Sequence, residues 1–454
     1  MKIMLIWPPL AKKGRIAPLL GLAYLASCLE KVGHNVKIID SLAMRYTLKD
    51  VEKKIKNFDP DVVGISATTQ FIYEAYSIAR MSKENNPNCM TVLGGPHTTV
   101  LSRKTLEECN FIDIIIRGEG ERTLLELLEK KKKEDLIGVR GISFRLNDKI
   151  IENPDRPFIE DLDSLPFPAY HLLPMQKYVV NDTKLNIDFF HTNKQPFGTI
   201  TTSRGCPFNC SFCASNILWG RKWRSRSPEN IIEELKILRN KYGLRKIFFV
   251  DDISTVKTKR IENLCKLIKE EGIDISWECP TRANIVTKDL CLKLKKAGCQ
   301  TIGFGIESGV QKILDFLNKG ITLELAEQAV KTVKNAGLQT DSNFMIGIPG
   351  ETREMIKQTL AFAKKLDLTY TTFSILTPYP GTKIYEYVKK HNLLLTEDWS
   401  KYTSFNPVIR INGMSSSEIK GFFRKANLTF NFSPMKIIKN IKEIIDKKAV
   451  GKPP

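Results

Sequence analysis

The sequence predicts an α/β protein built from two parallel-sheet units. Three observations carry this. Apolar strand-like runs alternate with amphipathic helical runs through residues 1–140. The rhythm breaks over residues 141–195, a stretch rich in Pro and aromatic residues. It resumes over residues 196–400 with six more strand-like runs, each of the first five followed by a helical segment. Strict strand–helix alternation implies a parallel sheet covered on both faces.

In the first unit, KIMLIW is a near-continuous apolar run of the kind found in buried parallel strands. LLGLAYLASCLEKVG follows as a helix that stops at Gly33. HNVKIID, DVVGISA, CMTVLGG and FIDIIIRG are the next strands. TLKDVEKKIKNF, EAYSIARMSKEN and ERTLLELLEKK are the helices between and after them. The result is a Rossmann-like, doubly wound sheet, whose ligands sit beyond the carboxyl ends of the strands. NPDRPF and LDSLPFPAYHLLP combine turn chemistry with buriable groups, so residues 141–195 are read as an ordered connector. GTITTSRG, RKIFFVDD, ISWECPTR, TIGFGIES, QTDSNFMIGIP and TYTTFSILTPYPG then supply six βα units. Six are too few for a closed eight-fold barrel, so a partial, TIM-like barrel is expected. Residues 401–454 read as a helical tail ending in MKIIKNIKEIIDKKAV.

The chain has 454 residues, with 70 Lys and Arg against 50 Asp and Glu, a formal charge of +20. A hydrophobic fraction of 42% and a charged fraction of 26% exclude disordered, collagen-like and disulfide-scaffold classes. No run approaches about 18 uncharged apolar residues, so no membrane span is expected. MKIMLIWPPLAKK is too short in its apolar part for a secretory signal, which places the chain in the cytoplasm. Ten cysteines in a reducing compartment are thiols or metal ligands rather than disulfides. The Lys residues are spread over many helix-like segments, which reads as a solvated surface, and no nucleic-acid partner is expected.

The strongest chemical signal is RGCPFNCSFCAS, in which Cys206, Cys210 and Cys213 are spaced CxxxCxxC just after the first barrel strand. That is where a βα barrel builds its active site. Zinc would want a fourth ligand, and the nearest candidate in sequence, His191, precedes the strand. Three thiolates suit a cubane iron–sulfur cluster with one iron left open. In the first unit, small and hydroxyl residues gather after the third, fourth and fifth strands, in GISATT, GGPHTT and RGEGE. They make a slot for a large planar or nucleotide-like ligand. WPPLAKKG after the first strand has no GxGxxG, which argues against a dinucleotide. Cys28, Cys89, Cys109, Cys265, Cys291 and Cys299 lack ligand spacing and read as buried apolar groups. Cys279 lies on a barrel strand, with packing favoured over a role in the cavity.

CxxxCxxC with Phe212 before the third Cys, on a partial barrel, resembles the radical S-adenosylmethionine superfamily. With the upstream domain and connector, nearly the whole chain is similar to its cobalamin-binding branch. The resemblance implies a 4Fe-4S cluster on Cys206, Cys210 and Cys213, S-adenosylmethionine on its open iron, and cobalamin in the first domain. It implies S-adenosylmethionine contacts from Phe212, Asp251, Asp252, Arg282, Glu307, Ser308 and Gly347. Ser66, Thr68, Gly94, Gly95, His97, Gly118 and Glu119 are the implied cobalamin contacts. The DxHxxG motif that offers a histidine to cobalt is absent, so base-off cobalt is expected, and His97 is expected to hydrogen-bond rather than ligate.

The implied activity is reductive cleavage of S-adenosylmethionine to a 5′-deoxyadenosyl radical, followed by C-methylation of an unactivated carbon through methylcobalamin. Oxidative cyclisation or ring rearrangement with the same cofactors is the alternative. A non-catalytic cobalamin or metal sensor would leave the array of barrel strand ends unexplained. The implied partners are a small-molecule or lipid-like substrate and a reductant protein such as ferredoxin or flavodoxin. Residues 434–454 carry an apolar stripe that suits docking on the barrel, or peripheral contact with a membrane.

Overall fold

The computed structural model describes residues 1–9, 16–181 and 194–431. His191, part of the loop after the first strand and the apolar stripe of residues 434–454 lie outside the described residues.

The first domain is a seven-stranded sheet. Its parallel part runs Asn35–Asp40, Lys2–Trp7, Val62–Ser66, Met90–Gly94 and Ile114–Ile116 across the sheet. This 2-1-3-4-5 order places the topological switch between Lys2–Trp7 and Val62–Ser66, where a crevice opens at the strand ends. The sheet does not stop at residue 140. Ile142–Leu146 and Lys149–Glu152 add an antiparallel hairpin to its edge, so the connector begins later than expected. The turn chemistry of Asn147-Asp148, both in left-handed conformation, makes that hairpin.

The connector packs between the domains. Ala169 N–H donates to Ala23 C=O at 3.0 Å, and the Tyr178 hydroxyl donates to Asp40 at 2.7 Å. Tyr170 reaches the other way, donating to the Thr199 carbonyl at 3.1 Å.

The second domain carries six parallel strands in sequence order: Lys194–Ile200, Lys246–Phe249, Ser276–Thr281, Cys299–Glu307, Gln339–Ile346 and Tyr370–Ile375. Sequential order with parallel pairing is the arrangement of an open barrel. Side chains alternate along each strand. Cys279, Ile302, Phe304, Phe344 and Phe373 are buried in the core, and Cys279 packs there as favoured. Val250, just past the end of a central strand, is nonetheless 49% exposed, because the sheet curls around an open space. Helices start where Ser227, Thr287, Thr322, Thr352 and Thr382 each accept the N–H three residues on.

An open barrel has two edges whose backbone groups need partners. Val179–Asn181 pairs antiparallel with the first strand. At the far edge the helix Ser416–Asn431 lies on Tyr370–Ile375, and Asn427 substitutes for a strand. Its side chain accepts from Phe373 N–H at 3.3 Å and donates to Phe373 C=O at 3.2 Å. Among the described residues no helix is long and apolar enough to cross a membrane. Asn427→Ala is expected to cost about 1–3 kcal/mol locally. Hydrogen exchange at the Phe373 amide should then quicken about tenfold or more, with barrel-strand amides away from this edge unaffected.

Candidate active site between the two domains

The cysteine loop is held in shape by its own chain. Gly205 has φ +87°, and a Cβ there would stand 2.5 Å from Lys222 O, so only glycine passes. Ser211 N–H donates to Leu317 O at 2.9 Å, and Ser211 O accepts from Ile384 N–H at 2.9 Å. Asn216 and Asn318 donate to Phe208 O and Asn209 O at 2.8 and 2.7 Å. Cys206, Cys210 and Cys213 are all half-buried on this loop. Burial raises the Cys206 thiol and pushes Cys213 up to about 11, and the neighbouring Asp252 and companion thiols add to both. The loop's surroundings thus disfavour unpaired thiolates on Cys206 and Cys213, and cationic iron reverses that balance. Among the described residues no group of three His, Cys, Asp or Glu forms a site for a metal ion of its own.

The residues around the thiols divide sharply. Asp252 is open to the space at the strand end and accepts from the Ser215 hydroxyl at 2.5 Å. Burial by surrounding protein, then Asp251, raises its carboxyl. Glu307 has φ +73° and binds Lys319 Nζ at 2.9 Å. Phe212 lies 5.7 Å from the same ammonium. Arg282 lies flat on Phe208, with its Cζ 3.7 Å from the ring centroid. Its Nη1 is 3.5 Å from Cys210 Sγ, while Nη2 donates to Lys319 O.

Several of the expected contact residues have polar groups engaged within the protein. Asp251 has its carboxylate taken by Thr202 N–H at 2.6 Å, the Thr202 hydroxyl and Ser203 N–H, so it ties two strand ends together. The Ser308 hydroxyl is buried, 3.2 Å from that of Thr359 and accepting from Val310 N–H. Gly347, at φ +75°, gives its N–H to Glu351 at 2.7 Å and stands against Ile375 and Ile419. Burial pushes the Glu351 carboxyl up to about 7.

Glu119 is the most heavily engaged of the expected contact residues. It is 6% exposed and accepts from Arg204 at 2.7 Å, from Arg224 at 2.9 Å and from Ile159 N–H at 2.6 Å. Arg204 also binds Glu121 at 2.6 Å. Its guanidinium lies 5.4 Å from the Tyr24 ring and 5.3 Å from the Trp219 ring. Two carboxylates of one domain thus clamp two guanidiniums of the other, and Arg204 lies two residues before Cys206. The sequence motifs RGEGE and RGC contain three members of this quartet, but nothing local pairs them.

The first domain's strand ends carry a different signal. Trp7 Nε1, Ser41 Oγ, Thr68 Oγ1 and His97 Nδ1 are buried without a hydrogen-bond partner. They follow four strands of the sheet, two of them at its switch point. Buried polar atoms are normally paired, so four orphans at one edge mark a ligand-shaped absence of partners. Trp7 and Ser41 were not singled out from sequence, because a strand-end Trp or Ser has no motif of its own. Gly95, at φ +103°, serves packing: a Cβ would stand 2.7 Å from Ala67 O and 3.1 Å from Ser66 Oγ. Gly94 is under no such constraint, since a Cβ there would make only ordinary contact with Ile116 O at 3.6 Å. Gly118, at φ +68°, faces open space. His97 is 3% exposed, edge-on to Trp399 at 5.3 Å, and burial pushes its pKa down to about 4, aided by Lys104.

Loops after two strands of the first domain and after the first and last barrel strands enclose a cavity of about 270 Å³. Thr68, Gln70, His97 and Val100 line it from one domain, and Ala214, Leu218, Tyr379 and Pro380 from the other. Ala214 directly follows the third cysteine. A second depression around Lys236, Arg239 and Asp274 lies at the opposite ends of the barrel strands, away from all these groups.

Residues 200–363 match the radical SAM superfamily, and residues 7–128 match the B12 binding domain. An uncharacterised methyltransferase of Pyrococcus horikoshii is 45% identical over 449 residues, 98% of this chain and 95% of that one. The chain belongs to the cobalamin-binding radical S-adenosylmethionine enzymes.

The anaerobic magnesium-protoporphyrin IX monomethyl ester cyclase of Rubrivivax gelatinosus is 29% identical over 428 residues, 90% of this chain and 75% of that one. The solved structure of the radical S-adenosylmethionine methyltransferase TsrM from Kitasatospora setae, with cobalamin and a 4Fe-4S cluster bound, shares the fold. Its TM-score is 0.69 at 18% identity, over 92% of this chain and 84% of that one. The enzyme's cofactors are a 4Fe-4S cluster, S-adenosylmethionine and cobalamin. Its residues fit them: three thiols share one loop, and the orphaned polar atoms lie at the carboxyl ends of the first domain's strands, where ligands of such sheets sit.

Two consequences are measurable. Arg204→Met leaves buried carboxylates underpaired and is expected to cost about 3–5 kcal/mol. Calorimetry should show the lowered midpoint, and a fall of less than about 1 kcal/mol would mean the quartet is solvated. His97 binds fewer protons folded than unfolded, since its pKa falls from 6.5 to about 4. Stability is therefore complete above pH 6.5 and drains as pH falls toward 4, by about 3 kcal/mol in all. In cofactor-free protein, His97→Gln should flatten that limb, as followed by tryptophan fluorescence.

Proposed function

We propose that this enzyme transfers a methyl group to an unactivated carbon of a small-molecule substrate. The observation that carries the reading is the shared cavity. One wall comes from the cobalamin domain's strand ends and the other from the residues following Cys213 and from the sixth barrel strand end. When bound, the cluster with S-adenosylmethionine supplies a carbon-centred radical, and cobalamin supplies the methyl group.

The chain's own residues do the rest. Cys206, Cys210 and Cys213 would hold the cluster, and the loop hydrogen bonds fix the path of the chain that carries them. Asp252, reachable from the cavity side, is suited to the ammonium of S-adenosylmethionine. Lys319 and Glu307 neutralise each other beside Phe212, which keeps the floor of the site compact. Thr68, His97 and Gly118 are the expected cobalamin contacts that keep an open or unpartnered face, and Trp7 and Ser41 join them. A neutral His97 suits hydrogen bonding to cobalamin's amide groups. Leu218, Val100 and Tyr379 make the wall apolar, which excludes water from a radical. Electrons would arrive from a small reductant protein such as a ferredoxin or flavodoxin.

The cyclase relative supports a second reading, oxidative ring formation with the same cofactors. Product mass separates the two: methylation adds one methylene unit. Cys213→Ala is expected to abolish both the cluster and 5′-deoxyadenosine formation in anaerobic assays. Continued 5′-deoxyadenosine formation by cluster-free protein would refute the reading.

A further inference from the structure

We propose that Arg282 is a positioning residue for the iron–sulfur cluster, donating an N–H to the Cys210 thiolate and raising the cluster's reduction potential. This rests on the cluster reading above and replaces the expectation that Arg282 contacts S-adenosylmethionine, which for an arginine would mean a fork onto its carboxylate.

A fork needs two parallel N–H groups aimed at one carboxylate. Here the two terminal nitrogens have different partners. Nη1 points to Cys210 Sγ at 3.5 Å, and Nη2 is taken by the Lys319 carbonyl. Nε is buried without a partner. The guanidinium is pinned from a third direction by Phe208, at 3.7 Å from the ring centroid. Phe208 itself sits between Cys206 and Cys210, so the ring that orients the arginine belongs to the ligand loop. The Lys319 carbonyl precedes Gly320, whose φ of +65° turns the chain there.

Charge points the same way. Arg282 is buried, and among the described residues no carboxylate forms an ion pair with it. The nearby carboxylate of Glu307 is held by Lys319. A buried cation needs an anion, and the group its free charge faces is the sulfur of Cys210, which is a thiolate once it ligates iron. A thiolate-ligated cluster becomes more negative by one charge on reduction, and part of that charge resides on its sulfurs. A cationic N–H donor therefore stabilises the reduced form more than the oxidised form.

The test is an EPR-monitored redox titration of the full, anaerobically reconstituted chain, without S-adenosylmethionine. Arg282→Gln is expected to lower the midpoint by about tenfold in the one-electron equilibrium, about 59 mV. Arg282→Lys, which keeps charge but loses the pinned geometry, should lower it by less. An unchanged midpoint in a variant with full iron content overturns the proposal. So does weakened S-adenosylmethionine binding with an unmoved midpoint, the signature of a carboxylate-binding arginine. Should both variants fail to hold iron, Phe208→Leu decides, since it removes the platform and spares all three ligands. A lowered midpoint there supports the proposal, and an unmoved one overturns it. Absence of any cluster in the parent protein would instead strike the family reading.

Discussion

Glu119, Glu121, Arg204 and Arg224 meet out of contact with water, and the relation of the two domains depends on them. Taking four charges from water costs several kcal/mol per ion, so the arrangement persists only with near-ideal geometry. That requirement is what makes it an orienting device. An apolar interface of equal area would tolerate sliding; this one does not. Glu119 adjoins the open Gly118 of the first domain's fifth strand end, and Arg204 lies two residues before Cys206. A small displacement at the quartet therefore reaches both halves of the cavity at once. The connector reinforces it, with the Ile159 backbone bonded to Glu119 through its N–H and to Arg224 through its carbonyl.

The two halves of the site are prepared in opposite ways. The cysteine loop is complete without its metal: glycine at 205, backbone bonds to Leu317 and Ile384, and two asparagine side chains define its path. Its backbone path is thus fixed by the protein's own bonds, which limits the ordering entropy that a ligand of this loop would cost. The first domain instead leaves polar atoms of Trp7, Ser41, Thr68 and His97 without partners. Each such atom costs free energy in the empty state. A ligand able to hydrogen-bond with them would remove that cost.

Openness of the barrel links architecture to chemistry. A closed eight-stranded barrel fills its interior with side chains. Six strands leave a gap through which a second domain can face the interior. The exposed edges are then a liability, and the chain covers them with a short antiparallel strand on one side and Asn427 on the other. Glycines at 303 and 305 keep the inner surface low beside Glu307, where a Cβ on Gly305 would strike both Glu307 and Lys319.

Periodicity was enough to place every parallel strand and most helices, because a buried strand and an amphipathic helix are written in consecutive residues. The CxxxCxxC spacing was likewise legible, since one short loop supplies all three thiols. The hairpin of residues 142–152 was missed, because its polar-alternating strands look like connector. Roles at strand ends were less legible. VDD did not say that Asp251 would tie down Thr202 while Asp252 stayed open, and GIES did not say that Ser308 would turn to Thr359. RGEGE offered Glu119 to a ligand, yet an arginine 85 residues away claimed it. Local spacing governs which element forms and which atoms share a loop. Which carboxylate meets which cation is settled by packing between distant segments, where desolvation makes each polar atom take the nearest partner the fold provides.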